Sequence, residues 1–456
     1  MIPAFVLRGN RVRMNQDSEP NRLATQARVP DASEMIADPV LTGRREKAWT
    51  PTRWTIVALA VVAGIAVGFA VGKVPPAMAV ISADFGLGKV TAGWLASIFF
   101  AFGAGFGMLT GMAGGRIGAR NLLLTGLLIL GLASLVGAWA DGGGMLLAMR
   151  VVEGIGFAAI VSAAPKLIFD AATPKDRDLA LGIWSTYMPA GMAIAMVVTS
   201  FLIEPLGWRG IWLVSAGFGL VIAILAFAGT VRSRWPEQPR TDTNMVFDRG
   251  GVRATLACGA LWLYSGAFIL FTVQWFAIAA WLPTFLTETQ GRMATAAALF
   301  SALVVATNVL GNLIGAWLLY RGAPRWLLLA AANLIMGVTG ALIFAGFIPD
   351  VAKIPLAIIF STGSGVLPAA AFSGAAVHAP KPDLIAMASG LIAQGAAIGM
   401  LLGPPLMAVV VGSLGSWENA WWCMLVCPVA GLAIASGIFR IERRRNSDNS
   451  YSKTQT

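Results

Sequence analysis

From residue 54 to residue 438 the chain alternates between apolar runs and short polar breaks. Twelve runs reach the roughly 20 residues needed to cross ~30 Å of hydrocarbon. Their approximate limits are 54–83, 91–112, 121–140, 145–169, 179–202, 208–230, 260–286, 295–319, 326–347, 354–377, 386–411 and 417–438. A backbone in lipid must satisfy its own hydrogen bonds, and uninterrupted runs of this length do so as helices. The pattern therefore predicts an all-α polytopic membrane protein with twelve transmembrane helices. The connections are short except for a central one near 231–254. This divides the chain into a tail over 1–53, a six-helix bundle over 54–230, a linker over 231–259, a second six-helix bundle over 260–438 and a basic tail over 439–456. The first segment is polar, basic and without helical periodicity, so a disordered tail is expected. It has no long apolar core before a cleavage site, and a signal peptide is not expected. Met14 and Met35 are alternative starts.

The two bundles repeat one another. "GRIGARNLLL" (115–124) parallels "YRGAPRWLLL" (320–329), matching Arg116 with Arg321 and Arg120 with Arg325. "GWRGIW" (207–212) parallels "SWENAW" (416–421). Gly154 and Gly156 align with Gly363 and Gly365, and Pro76 with Pro283. Matches in this order predict two pseudo-symmetric halves related by an axis along the membrane normal, one of the standard transporter plans.

Composition and charge sharpen this. The chain is 57% hydrophobic and 12% charged, with mean hydropathy +0.74, too little charge to cover a soluble surface of this size. Its net charge of +11 is placed asymmetrically. One set of loops carries Arg116, Arg120, Lys175, Arg177, Arg321, Arg325 and Lys381, together with the linker and C-terminal arginines; the other carries only Lys89, Arg209, Arg292 and Lys353. The positive-inside rule then places both termini in the cytoplasm. It also accounts for the basic charge without nucleic-acid binding. The three cysteines fall in apolar segments, which argues against a disulfide framework. The single histidine, His378, argues against a histidine-ligated metal. No phosphate-cradling loop or nucleophile motif is present, so neither an ATP-driven pump nor an enzyme is expected, and no cofactor is implied.

The chemistry lies in a few ionisable residues inside the spans. "RVVEGIG" (150–156) sets Arg150 and Glu153 on one face of the fourth helix. Charges at bilayer depth are costly and usually face a bundle interior or a wet cavity. Lys73 lies ~15 Å from the outer end of the first helix, and Arg150 ~10 Å from the outer end of the fourth. Lys166 and Asp170 lie near the cytoplasmic end of the fourth helix. A bland alternative stands beside each: Arg150 and Glu153 pair to brace their helix, and Lys73 snorkels to the interface.

Residues ~50 to 440 resemble the major facilitator superfamily. "GMAGGRIGAR" (111–120) is similar to its loop signature between helices 2 and 3, with Gly111, Arg116, Gly118 and Arg120 matching and Gly115 where the family usually has aspartate. "RVVEGIG" resembles the helix-4 signature, with Glu153 in place of the commoner glutamine. "YMPAGMAIA" (187–195) departs from the helix-5 signature of the family's antiporters. The overall style is similar to bacterial members grouped with cyanate and nitrate/nitrite permeases. The resemblance implies that helices 1, 4, 7 and 10 line a central cavity. Lys73 and Arg150 would then favour an anionic substrate, the arginine through its planar fork. Gln274 and Tyr187 are the next candidates for substrate contact, and Glu153 for a coupling proton. The expected function is secondary transport of a small anionic solute by alternating access, with proton symport as the expected coupling, by a monomer in the bacterial inner membrane. The alternative is a proton-driven drug or metabolite exporter of the same fold.

Overall fold

The computed structural model describes residues 51–108, 118–232, 249–381 and 384–454. Every regular element among them is helical. Eleven helical stretches are long and apolar enough to cross a membrane. The first four are α1 (Trp54–Phe85), α2 (Lys89–Met108), α3 (Ala119–Gly137) and α4 (Gly143–Ala171). The next stretch, Tyr187–Gly229, holds two spans. Gly207 interrupts it with φ 63° and ψ 178°, a conformation open to glycine alone. Packing against α1 gives the direction on either side. Before the break, Tyr187, Gly191 and Met192 meet Gly64, Gly68 and Gly72 in the same order. After it, Ser215, Phe218 and Gly229 meet Lys73, Phe69 and Leu59 in reverse order. The chain therefore turns back at Gly207, separating α5 (187–206) from α6 (208–229), and the spans among the described residues number twelve.

The second half comprises α7 (Gly259–Gln290), α8 (Ala294–Tyr320), α9 (Arg325–Phe344), α10 (Asp350–His378), α11 (Ile385–Leu414) and α12 (Glu418–Arg444). It repeats the packing of the first. Helices α7 and α11 run alongside each other as α1 and α5 do: Ser265 meets Gly395, Thr272 meets Gly399 and Val273 meets Gly403. Small residues let transmembrane backbones approach this closely.

The register of the repeat differs by two residues from the sequence alignment in α4 and α10. Among the positions buried in both are Leu146 with Ala357, Arg150 with Ser361, Glu153 with Ser364, and Gly154 with Gly365. The contacts agree. Gly154 packs on α2 at Phe99 and Gly365 on α8 at Asn308, whereas Gly156 packs on α3 and Gly363 on α9. The paired glycines are close-packing positions, but each pair is exchanged between neighbours. Ile359, aligned with Arg150 by sequence, is 51% exposed. The charged pair of α4 thus answers to a buried serine pair in α10, where Asn308 Nδ2 donates to Ser361 O at 2.9 Å and to Ser364 Oγ at 3.2 Å.

Prolines shape two of the helices differently. Pro75 and Pro76 have no N–H to give to Val71 and Gly72, and α1 breaks into a turn at Lys73. α7 stays helical through Pro283. At the face where α1 ends, Asp84 accepts from Trp208 Nε1 at 2.7 Å and from Arg209 Nη1 at 2.9 Å. The second half repeats the motif with Glu288 accepting from Trp417 Nε1 at 2.8 Å, but its cation is Lys89 of the first half, at 2.7 Å. At the opposite face, His378 closes α10, and its ring sits 5.6 Å from that of Tyr264. Glu442 of α12 accepts there from Tyr264 Oη at 2.9 Å and from Arg325 Nη1 at 3.4 Å. A short helix, Arg249–Ala257, packs Val252 and Ala254 on Met108, Leu384 and Met387 at the same face.

Candidate functional site: a buried charge cluster

The break in α1 sets Lys73 against α3, α4 and α6. Its Nζ donates to Glu153 Oε1 at 2.7 Å, to Ser134 Oγ at 2.9 Å and to Ser215 Oγ at 3.3 Å, and lies 4.3 Å from the centre of the Trp212 ring. Three residues along α4, Arg150 Nη1 donates to Glu153 Oε2, and also to Ala70 O at 2.8 Å. Arg150 Nε reaches Leu95 O at 3.3 Å, beside a short 3-10 turn over Ile98–Phe100 in α2. The guanidinium lies 4.7 Å from the Phe99 ring centre. Ser134 Oγ donates to Glu153 Oε1 as well. The two cations therefore meet on one carboxylate, which takes a donor from each.

Lys73, Arg150 and Glu153 are each 0% exposed, so no solvent shares the balance of charge. Two cations and one carboxylate leave an excess of one positive charge when all three are ionised. Arg150 Nη2 has no hydrogen-bond partner among the described residues. Burying charge is costly unless each group is paired, and the cluster meets that cost by drawing donors or acceptors from five helices of one bundle. Phe99, Phe100 and Phe157 pack edge to face or tilted over its α2 side, and Phe100 meets Phe276 of the second half at 5.1 Å. An aromatic layer therefore stands between the charges and the other bundle.

The remaining predicted site residues lie elsewhere. Gln274 is 2% exposed and its Nε2 donates to Met424 O, tying α7 to α12 inside the second half. Tyr187 stacks on Trp184 at 4.3 Å and packs against Gly64. Gln394, another polar residue within a span, bridges the halves: Nε2 donates to Ala104 O at 2.9 Å and Oε1 accepts from Met108 N at 3.2 Å. Gly111 and Arg116 of the loop motif lie outside the described residues. Gly118 caps α3 with φ 82°, and Arg120 follows in its first turn. Sequence reasoning missed Ser134, Ser215, Trp212 and Phe99. Only Trp212 carried a signal, through the repeated "GWRGIW".

The sequence model of the Major Facilitator Superfamily matches residues 56–394, and the chain belongs to this family of membrane transporters. Its helices make it a multi-pass membrane protein. It is 30% identical over 213 residues to the puromycin resistance protein pur8 of Streptomyces alboniger, covering 46% of this chain and 41% of that one. Relatives named for drug resistance or efflux are matched over less than half of their length. A protein of Cupriavidus necator named "Probable sulfoacetate transporter SauU" is 26% identical over 274 residues, covering 56% of this chain and 63% of that one. Among solved structures, a bacterial homologue of the human lysosomal transporter Spinster, in an inward-facing and unoccupied conformation, superposes with a TM-score of 0.69. It covers 87% of this chain and 98% of that one at 18% identity, a likeness of fold.

The pair formed by Lys89 and Glu288 crosses between the halves and is 44% and 41% exposed. At that exposure an ion pair contributes at most ~1 kcal/mol. Lys89→Ala should leave folding intact and raise the population in which the halves part at this face by up to about fivefold. Pulsed spin-label distances between Val90 and Met293 would read this; an unchanged distribution would assign the pair no part in holding the halves together.

Proposed function

We propose that the protein is a secondary transporter of a small organic anion, working by alternating access in a bacterial inner membrane with both termini cytoplasmic. The observation that carries this reading is the buried cluster, in which two cations share one carboxylate. The anion held between Lys73 and Arg150 is the protein's own Glu153 side chain. A substrate carboxylate or sulfonate that competes for the Arg150 fork would find a planar, charge-assisted partner with one nitrogen unused. Phe99 is the group that must give way, since its ring covers the guanidinium. The similarity to SauU, over more than half of both chains, supports the class of solute for which that protein is named. Tyr187 remains a candidate contact; the amide of Gln274 is committed to α12.

A second reading, proton-driven export of a drug or metabolite, is favoured by the 30% identity to a puromycin resistance protein. Purified protein in proteoliposomes separates the two. Uptake of small mono- and dicarboxylates and sulfonates is expected, and export of cationic drugs is not. Arg150→Lys keeps the charge and loses the fork. It should lower anion transport roughly ten- to hundredfold, the range of a charged hydrogen bond worth ~1.5–3 kcal/mol. Normal anion transport by Arg150→Lys would remove the fork from the mechanism, and drug export without anion uptake would favour the second reading.

A further inference from the structure

In the sequence Glu153 stands out as the group to carry a coupling proton. Its surroundings weigh against that. Three side chains donate to its carboxylate: Lys73 and Ser134 on Oε1, and Arg150 on Oε2. A proton added to either oxygen would displace a donor and leave two buried cations with no counter-charge. Arg150 cannot serve, because a guanidinium keeps its proton in proteins. Of the groups that face Lys73, Ser134 comes from α3, Arg150 and Glu153 from α4, and Trp212 and Ser215 from α6. The contacts of α5 with this part of α1 are made by the Met192 backbone at Gly72.

We infer that Lys73 is the residue that takes up and releases the proton coupled to transport. This rests on the transport reading but not on the charge of the solute. Loss of a proton from the ammonium leaves Arg150 and Glu153 as a neutral pair, so it removes the one unit of buried excess charge. The proton leaves to the aqueous side then open, and the electron pair stays on Nζ. The cluster accommodates both forms. As an ammonium, Lys73 gives hydrogen bonds to Glu153, Ser134 and Ser215 and faces the Trp212 ring. As an amine it retains two donors and gains a lone pair, into which the Ser215 hydroxyl, 3.3 Å away, can turn its hydrogen.

The position of Lys73 links this titration to movement. It stands at the turn between Trp54–Gly72 and Val74–Phe85, where the two prolines have removed the helical hydrogen bonds. The charged amine ties that turn to α3, α4 and α6. The segment beyond it ends at Asp84, held to the α5–α6 turn by Trp208 and Arg209. A neutral Lys73 binds Glu153 less strongly and loosens the hinge of this segment, whereas a charged one fixes it.

The experiment compares wild type, Lys73→Arg, Lys73→Met and Glu153→Gln in proteoliposomes, using a solute that the wild type moves. Exchange is followed as a function of pH, beside accumulation driven by a pH gradient. The expected result is that exchange by Lys73→Arg falls, that what remains is independent of pH, and that gradient-driven accumulation is lost by at least tenfold. Lys73→Arg that keeps the wild-type pH profile and accumulation would overturn the assignment, as would loss of the pH profile in Glu153→Gln alone. If the wild type exports a drug and moves no anion, the anion reading fails, and the lysine is still tested by the pH profile of that export. Should the Lys73 variants not fold, wild type and Trp212→Phe in detergent carry the test through their fluorescence difference. A pH-dependent step in that difference is expected because Trp212 faces Nζ, and a difference flat in pH would overturn the proposal.

Discussion

Glu153→Leu is expected to destabilise the protein by ~3–5 kcal/mol, the cost of removing one partner from a buried ion pair. It leaves Lys73 and Arg150 as two adjacent cations, both fully buried. No water reaches either, and the acceptors left to them are two backbone carbonyls and two serines. The loss reaches four helices, because Glu153 joins the donors that α1, α3 and α4 contribute and keeps Lys73 beside Trp212 and Ser215 of α6. Thermal unfolding of the purified protein in detergent measures the effect, with Leu146→Ala as a volume-loss control in the same helix. A triple replacement, Lys73→Met with Arg150→Met and Glu153→Leu, should recover most of the stability, since apolar residues of similar volume often replace buried ion pairs at little or no cost. It should not recover transport. Glu153→Leu as stable as wild type would mean that the two cations find other partners, and the cluster would not be what unites the bundle.

The spans were legible because hydrocarbon thickness imposes a length that composition can meet or fail. Their packing was less so. The α5–α6 hairpin hinges on the unusual torsion of Gly207, and nothing in "EPLGWRG" distinguishes that glycine from its neighbours until the backbone is seen. The repeat was visible, but its register in α10 was not. Two glycines spaced by two residues align equally well whichever neighbouring helix each one meets, and the burial of Ser361 and Ser364 together with the contacts of the glycines distinguishes the alternatives. Within the candidate site, Lys73, Arg150 and Glu153 stood out because ionisable residues are rare at that depth. Helical rise gives their depth, but it gives no azimuth. An open cavity lined by two cations and a closed cluster around one carboxylate therefore read alike. Ser134 and Ser215 were invisible for a related reason: a serine in an apolar helix looks the same whether it bonds its own backbone, as Ser301 does to Ala297 O at 2.7 Å, or a neighbouring charge. Gln274 is ambiguous in the same way, since an amide facing α12 and one facing a substrate have the same spacing.

Gly154→Ala should be the most damaging conservative substitution near the cluster. A Cβ at this position would collide with the Phe99 carbonyl oxygen. That oxygen belongs to the 3-10 turn over Ile98–Phe100, and a backbone group cannot rotate aside as a side chain can. Helices α2 and α4 must therefore separate, with an overpacking cost of ~1–3 kcal/mol. The displaced residue is also the one whose ring covers the Arg150 guanidinium, so the shift reaches the charges. Two further substitutions isolate these effects. Gly182 has nothing within 4 Å of an added Cβ and lies in the helix Arg177–Ser185, so Gly182→Ala should gain up to ~1 kcal/mol from helix propensity. Gly311 would strike the Thr362 carbonyl oxygen between α8 and α10, far from the charged residues. Gly311→Ala should thus match the stability loss of Gly154→Ala while leaving the pH profile of transport in its wild-type form. Gly154→Ala should lose stability and alter that profile together, because α2 presses on Arg150 through Phe99. If Gly154→Ala and Gly311→Ala change the profile equally, the effect of packing on transport is general, and Phe99 has no special hold on the charge cluster.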